Sequence, residues 1–149
     1  MPASTEISGE EIKKILPHRH PFLFVDKIVE IDSERAVGFK SFPATEPFFQ
    51  GHFPGKPVVP GVLIIETMAQ VAGIVSSKRT GKLGNIAFLA GINNARFREP
   101  VLPGDNMKIT TRLIKEKARL HIAECRAEVN GKLVCEAEVM FVLLDSDKG

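Results

Sequence analysis

Two side chains in the segment 48–70 have the chemistry of an acid–base pair: the imidazole of His52 and the carboxyl group of Glu66. His52 lies in the sequence Gly-His-Phe-Pro-Gly, and Glu66 is the single carboxylate of the apolar stretch 61–75. An unpaired carboxylate in apolar surroundings either costs several kcal/mol or takes up a proton. Because burial raises the pKa of a carboxyl group, Glu66 is predicted to hold and give a proton near neutral pH.

The loop that carries His52 is predicted to be stiff. Prolines at positions 54, 57 and 60 fix their own φ and push the residue before each toward extended conformations. A stiff loop suits a general base, because the position of a base matters before its pKa. Two simpler interpretations stay open: His52 could make only a structural hydrogen bond, and Glu66 could face solvent or a partner subunit.

The segment 61–80 predicts one long helix, with Pro60 before it and Gly81 after it. Its first amides, at Gly61 and Val62, have no acceptor inside the helix and can bind an oxyanion. An imidazole, a carboxyl group and such amides suit the elimination of water β to a carbonyl. One group removes the α-proton, the amide stabilises the enolate oxygen, and the other group protonates the departing hydroxyl.

Strands are predicted around this helix. Ser8 and Glu11 form a capping-box pattern that opens a short helix. Strand patterns follow at 25–32, 35–42, 85–92, 105–117, 118–129 and 132–144, and Asn130-Gly131 is a strong hairpin signal between the last two. In 118–129 the alternation favours Leu120 and Ile122 on the apolar face. We therefore expect an α+β fold in which an antiparallel sheet of about five to six strands covers one central helix.

The composition predicts an ordinary globular protein with one domain, residues 1–149. Apolar residues make up 44% and charged residues 26%, and the net charge of +2 is too small to indicate nucleic acid. No apolar run is long enough to span a membrane and no leader pattern is visible, so we expect a cytoplasmic protein. Cys125 and Cys135 are predicted to be small core residues. Basic clusters at 76–82 and 95–98 would suit an acidic protein partner.

At this point the sequence resembles the (3R)-hydroxyacyl-[acyl-carrier-protein] dehydratases of bacterial type II fatty acid synthesis. The similarity is carried by LPHRHPFLFVDKI, EPFFQGHFPGKPVVPGVLIIETMAQ, AGINNARFREPVLPGD and NGKLVCEA, which together extend over nearly the whole chain. The resemblance implies a hot-dog fold, with a curved antiparallel sheet wrapped around a long helix. It also implies an enzyme without a cofactor or metal, assembled as homodimers that often form hexamers.

The resemblance assigns residues as well. His52 and Glu66 match the catalytic pair, which the family takes from opposite subunits, and Gly61 matches the glycine whose amide contacts the thioester carbonyl. The related dehydratase-isomerase carries aspartate where this chain has Glu66, which favours the plain dehydratase. The acyl chain is expected in an apolar tunnel beside Val62, lined by residues that include Phe49, Phe53 and Phe88.

Some features of the sequence stay unassigned. Phe88 occupies the position of a tyrosine that some members have near the tunnel mouth, and this chain contains no tyrosine. His18 and His20 have no role that the motif defines. Two other functions remain as alternatives, namely a hot-dog acyl thioesterase and a non-catalytic acyl-binding module. The histidine in Gly-His-Phe-Pro-Gly argues against the thioesterase.

Overall fold

The computed structural model describes residues 6–144, which form a seven-stranded antiparallel sheet, two α-helices and a short 3₁₀ helix. The elements follow one another as β1 (Ile7–Ser8), α1 (Gly9–Ile15), β2 (Lys27–Ile31), β3 (Arg35–Lys40), the 3₁₀ helix (Pro47–Gln50), α2 (Gly61–Thr80), β4 (Ile86–Phe97), β5 (Met107–Lys117), β6 (Leu120–Val129) and β7 (Lys132–Leu144). The α+β class is confirmed. The seventh strand is β1, which at two residues is too short to show a periodic pattern.

The sheet has the strand order β1-β2-β3-β5-β6-β7-β4, and every neighbouring pair is antiparallel. The hairpin between β6 and β7 turns at Asn130 and Gly131, whose φ values of 53° and 79° are those of the tight turn that the sequence predicts. β4 therefore lies at one edge of the sheet, beside the last strand of the chain.

The central helix α2 begins and ends where the sequence predicts. Pro60 is its N-cap, and Gly81 ends it in the left-handed region with φ of 74°, its amide donating to Ser77 O at 2.9 Å. From Ile64 to Ser76 nearly all side chains are buried, because β3, β5, β6 and β7 cover the helix. A helix that is apolar almost all round needs this cover. The sheet supplies it and completes the core.

The short helix α1 begins after Ser8, as the sequence predicts, although the Ser8 side chain makes no capping hydrogen bond. One local prediction is wrong. In β6 the predicted apolar face is displaced by one residue. His121, Ala123, Cys125 and Ala127 are buried, whereas Leu120 and Ile122 are only half-buried. A one-residue shift moves every side chain to the other face, so His121 enters the core.

The two cysteines are free thiols in the core, as predicted. Burial raises the pKa of Cys125, and it raises the pKa of Cys135 to about 11, so neither is a ready nucleophile. Neither helix found within residues 6–144 is long and apolar enough to cross a membrane.

Candidate active site

Glu66 lies on the second turn of α2 with a side chain that is 18% exposed. Burial raises the pKa of its carboxyl group, and the hydrogen bond from Gln70 partly opposes that rise. The carboxyl is therefore biased toward the protonated form, which is the state that a general acid requires. The raised pKa of Glu66 that the sequence predicts therefore has its cause in the apolar surroundings of the carboxyl group.

Gln70 fixes the orientation of Glu66 from one turn further along the helix. Its Nε2 donates to Glu66 Oε2 at 3.0 Å and to Phe22 O at 2.9 Å, and its Oε1 accepts the amide of Phe24 at 2.7 Å. These three bonds define which way the amide points, because only Oε1 can accept from the Phe24 N–H. The segment that precedes β2 is thereby tied to α2 beside the carboxyl group.

His52 lies in the loop between the 3₁₀ helix and α2. Its backbone amide donates to Phe48 O at 3.1 Å, and its ring Nδ1 lies 2.9 Å from Val58 O. Because a carbonyl oxygen can only accept, Nδ1 carries the proton and Nε2 is left as the basic nitrogen. The ring also stacks on Phe53, with centroids 3.9 Å apart. The loop thus presents one imidazole with a defined tautomer, as a general base requires.

The start of α2 leaves two amides free for a ligand. The first amides that bond are those of Leu63 and Ile64, both donating to Pro60 O, and within residues 6–144 no acceptor lies in reach of the amides of Gly61 and Val62. The absence of a Cβ at Gly61 is required here, because a Cβ would come within 2.8 Å of the Phe97 ring. Val62 is 73% exposed beside it.

A groove runs along α2 from Glu66 to Thr80, a length of about 20 Å for a helix of this rise. Its wall is mostly apolar and includes Leu16, Ala69, Gly73, Ala87, Leu89, Phe141 and Leu143. The end beyond α2 is polar and includes Lys82 and Asn85. The groove is thus apolar over most of its length and begins at the carboxyl group of Glu66.

None of the aromatic residues expected around the acyl chain lines this groove within the single chain. Phe49 is buried in the core at 6% exposure, whereas Phe53 and Phe88 are 51% and 59% exposed. His52 does not line the groove either. One chain therefore brings Glu66 together with Gln70 and the apolar groove, but it does not bring His52 into that groove.

The exposed side chains of β4 identify a surface that a second chain could cover. This edge strand pairs with β7 on one side only, and its large apolar residues are 39–59% exposed: Ile86, Phe88, Leu89, Ile92 and Phe97. A long apolar edge strand is a template for pairing with another chain. Because Phe97 contacts Gly61, this surface is continuous with the start of α2.

An aromatic row connects the surroundings of Glu66 with the loop of His52. Consecutive ring centroids lie 4.7, 5.6, 5.8 and 4.6 Å apart in the row Phe22, Phe24, Phe42, Phe48 and Phe49. At one end the backbone of Phe22 and Phe24 bonds the side chain of Gln70, and at the other Phe48 O accepts the backbone amide of His52. The same row of packed residues thus holds both Gln70, which bonds Glu66, and the loop of His52.

Comparison with known proteins gives the family. The family model for the FabA-like domain matches residues 16–138. The chain belongs to the FabA-like family. The 3-hydroxyacyl-[acyl-carrier-protein] dehydratase FabZ of Bartonella quintana is 50% identical over 140 residues, covering 93% of this chain and 90% of that protein. The dehydratase of the same name from Rhizobium johnstonii is 47% identical over 150 residues, covering 98% and 97%.

Solved structures support the hot-dog fold of this FabA-like chain. The dehydratase heterocomplex ApeI:P from Xenorhabdus doucetiae has a TM-score of 0.76 at 16% identity, over 91% of this chain and 92% of that chain. A hypothetical thioesterase with coenzyme A from Streptococcus pneumoniae has a TM-score of 0.60 at 11% identity, over 78% and 84%. Both proteins share the fold with this chain, and at these identities the likeness concerns the fold alone.

Sequence reasoning missed three residues of this FabA-like site. Gln70 lies four residues after Glu66, on the same face of the helix, but its bonds to the segment before β2 are long-range and leave no local pattern. The contact of Phe97 with Gly61 is also long-range, so it too leaves no local pattern. His18, in a motif without an assigned role, lies 3.6 Å from the carboxyl group of Glu66. Residues 6–144 contain no cluster of three metal-ligating side chains.

Proposed function

We propose that this chain dehydrates (3R)-3-hydroxyacyl-[acyl-carrier-protein] thioesters to trans-2-enoyl thioesters in fatty acid elongation, in the cytoplasm. The observation that carries the proposal is the similarity to dehydratases of this name, at 50% identity over 93% of the chain. The carboxyl group of Glu66, whose pKa is raised by burial and which lies at the start of an apolar groove, is the structural feature that fits this reaction.

His52 is proposed as the base. Its Nε2 takes the proton from the α-carbon, and the electron pair of that C–H bond moves toward the thioester carbonyl. The bond between Nδ1 and Val58 O supports this role, because it keeps the basic nitrogen turned outward and favours the imidazolium that forms. Phe53, stacked on the ring, would limit its rotation.

Glu66 is proposed as the acid. The C–O bond at the β-carbon breaks, the hydroxyl leaves with the proton of Glu66 as water, and the carbon–carbon double bond forms. His52 has then gained one proton and Glu66 has lost one, so exchange with solvent resets the pair. The raised pKa of Glu66, which follows from burial, supports its role as the donor.

The amides at Gly61 and Val62 are proposed to stabilise the thioester oxygen as it gains negative charge. Such donors act at the positive end of the helix dipole and need no reorganisation during the reaction. The exposure of Val62 supports this role, because the helix start is accessible to a ligand. The acyl chain would lie beside these amides and enter the groove along α2.

We also propose that each active site is built from two chains. His52 does not line the groove of its own Glu66, and the apolar edge of β4 supports pairing with a second copy. Homodimers, assembled into hexamers as the resemblance implies, would place His52 of one protomer beside Glu66 of its partner. The acidic carrier protein would dock on the basic segments 76–82 and 95–98, where the main charges are Lys78, Arg79, Arg96 and Arg98.

The reaction product tests the proposal directly. The protein is incubated with a 3-hydroxyacyl carrier-protein thioester, and the acyl species are followed by mass spectrometry. The proposal predicts loss of one water and appearance of the enoyl thioester. Release of free acid would instead identify a thioesterase, and an unchanged substrate would identify an acyl-binding module. Glu66→Gln and His52→Ala should each abolish dehydration while leaving the assembly intact.

Mixed dimers test the shared site. A heterodimer of one His52→Ala chain and one Glu66→Gln chain, purified through two different tags, contains one site with both catalytic groups and one with neither. We expect it to recover about half of the wild-type rate. The control is a pair of differently tagged His52→Ala chains, which should stay inactive. A heterodimer as inactive as the control would contradict a site built from two chains.

A further inference from the structure

His18 is the residue of the Leu-Pro-His-Arg-His segment that contacts the proposed site. It follows α1, lies in the same groove as Glu66, and has a side chain that is 20% exposed. Its Nε2 lies 3.6 Å from Glu66 Oε2, the carboxyl oxygen that also accepts from Gln70 Nε2. Within the described residues 6–144, Gln70 and His18 are the side chains that make a hydrogen bond or ion-pair contact with this oxygen.

The tautomer of His18 follows from its surroundings. Its Nδ1 is buried and has no hydrogen-bond partner within residues 6–144. A buried N–H without an acceptor is costlier than a bare acceptor nitrogen, so the proton of the neutral ring lies on Nε2. That N–H faces the carboxyl group of Glu66. Arg19, the next residue, is turned away to the backbone, donating to the carbonyl oxygens of Leu16 and His18 at 3.0 and 2.7 Å.

The two oxygens of Glu66 are therefore unequal. Oε2 accepts the hydrogen bond of Gln70 at 3.0 Å and has Nε2 of His18 at 3.6 Å, a contact slightly longer than a hydrogen bond, whereas Oε1 has no hydrogen-bond partner within residues 6–144. A proton on Oε2 would compete with those donors, so the acidic proton belongs on Oε1, where a substrate hydroxyl can take it. After transfer, the negative charge on the carboxylate is stabilised by both donors at Oε2.

We propose that His18 is a positioning residue for Glu66: Oε1 delivers the proton, and the Nε2–H of His18, 3.6 Å from Oε2, closes on that oxygen to stabilise the carboxylate left behind. The proposal rests on the proposed role of Glu66 as the acid. It gives a function to the histidine that the sequence left unassigned. His18 does not touch the reacting atoms, so its effect on the rate passes through Glu66.

The charged groups around His18 are consistent with a neutral ring. Burial lowers the pKa of His18, and the neighbouring charge of Arg19 lowers it further. Besides Glu66, the groove carries one other charged residue, Lys82, at its far end beyond α2. A neutral His18 adds no charge beside the carboxyl group of Glu66 before the reaction, and its N–H acts when the carboxylate forms.

Loss of the His18 donor is expected to lower kcat and to shift its pH dependence. The carboxylate of Glu66 is less well stabilised, so the pKa of Glu66 rises and its acid strength falls. The weaker acid lowers the maximal kcat, while the alkaline limb of the kcat profile, where Glu66 loses its proton, moves to higher pH. A residue that only supports the fold would lower activity without moving this limb.

The test compares His18→Met with His18→Gln, which have similar length and differ in the N–H donor. We expect kcat of His18→Met to fall about tenfold, with its alkaline limb at higher pH, and His18→Gln to recover most of the rate and the wild-type limb. The exposed neighbour supplies the control His20→Gln, which should match the wild type. The assembly of each variant is checked by light scattering; His18→Ala replaces His18→Met if that variant does not assemble, and His18→Asn, which keeps an N–H donor, replaces His18→Gln.

Two outcomes would overturn the inference: an alkaline limb of His18→Met at the wild-type position, or equal rates for His18→Met and His18→Gln. A separate outcome concerns the proposed function itself. If Glu66→Gln retains near-normal turnover, Glu66 is not the acid, whatever the His18 variants do. The Glu66 variant therefore separates a failure of the mechanism from a failure of the role given to His18.

Discussion

Gln70 Nε2 lies 3.0 Å from Glu66 Oε2 while the same nitrogen donates to the carbonyl oxygen of Phe22. One side chain thus fixes the carboxyl group and fastens the segment before β2 to the central helix. Because Gln70 is only 2% exposed, none of these bonds can be replaced by water without opening the core. The structural and the chemical roles of this glutamine are therefore inseparable.

Replacement of Gln70 is expected to reduce both stability and activity. Gln70→Met keeps the length of the side chain but leaves the amide of Phe24 without its acceptor, at a cost of about 1–3 kcal/mol in the free energy of unfolding. Urea unfolding at a fixed protein concentration measures the loss. Gln50→Met, the same change at an exposed glutamine, is the control and should alter stability by less than about 0.5 kcal/mol. Equal effects at both positions would contradict the role of Gln70.

Gly61→Ala is expected to reduce activity more than stability. The new Cβ would lie 2.8 Å from Cε1 of Phe97, so that half-exposed ring must move away from the helix start. A shift of this kind displaces the substrate carbonyl from the amide, and we expect kcat to fall about tenfold or more. Steady-state kinetics and urea unfolding, measured on the same sample, separate the two effects.

The control for Gly61→Ala is Gly9→Ala, at the first residue of α1. A Cβ at Gly9 meets nothing within 4 Å, so this variant should keep the wild-type kcat. An unchanged kcat in Gly61→Ala would show that the close contact with Phe97 has no bearing on the reaction.

Acid is expected to destabilise the fold through His121. This ring is 1% exposed, and its Nδ1 lies 2.7 Å from Ser76 Oγ. Burial lowers the pKa of His121; the charge of Glu116 raises this pKa by a smaller amount, and the charge of Arg79 lowers it further. The unfolded chain takes up the proton at the ordinary value of 6.5, before the folded chain does. The contribution of His121 to stability is therefore fully present above that pH, and it is lost as the pH falls toward the lower pKa of this residue in the folded chain.

The pH dependence of unfolding measures this contribution. Between about pH 7 and about pH 5, the wild type should lose up to about 1.4 kcal/mol per pH unit from this residue. His121→Asn, whose amide can still pair with Ser76 Oγ, should have a shallower slope, whatever its absolute stability. His20→Asn changes an exposed histidine and should keep the wild-type slope. Parallel slopes in all three proteins would rule out the buried ring as the cause.

The parts of the fold that depend on neighbouring residues could be predicted from the sequence. Pro60 and Gly81 delimit α2, and Asn130-Gly131 makes the last hairpin, because the conformations that these residues favour are local. The face of β6 could not be predicted this way. His121 is buried with its Nδ1 bonded to Ser76, 45 positions away, and no alternation within the strand contains that information.

The same distinction holds for the site. Glu66 and His52 are conspicuous because a carboxylate in an apolar helix and a histidine among prolines conflict with their surroundings. Gln70 and His18 are not conspicuous, because their roles arise from contacts with segments far away in the sequence. At Ser8 a local pattern is present without the bond that it predicts. The capping-box sequence precedes α1, but the Ser8 side chain makes no capping hydrogen bond, and Ser8 pairs with Lys27 in the sheet.

The aromatic row has a genetic consequence. If the two chains of a dimer share their active sites, Glu66 and His52 of one chain serve different sites, and the row from Phe22 to Phe49 connects half of one site with half of the other. A mutant allele that removes His52 is complemented at one of the two sites by a normal chain. An allele that disrupts the row at Phe42 damages both sites of every mixed dimer, and would therefore be dominant.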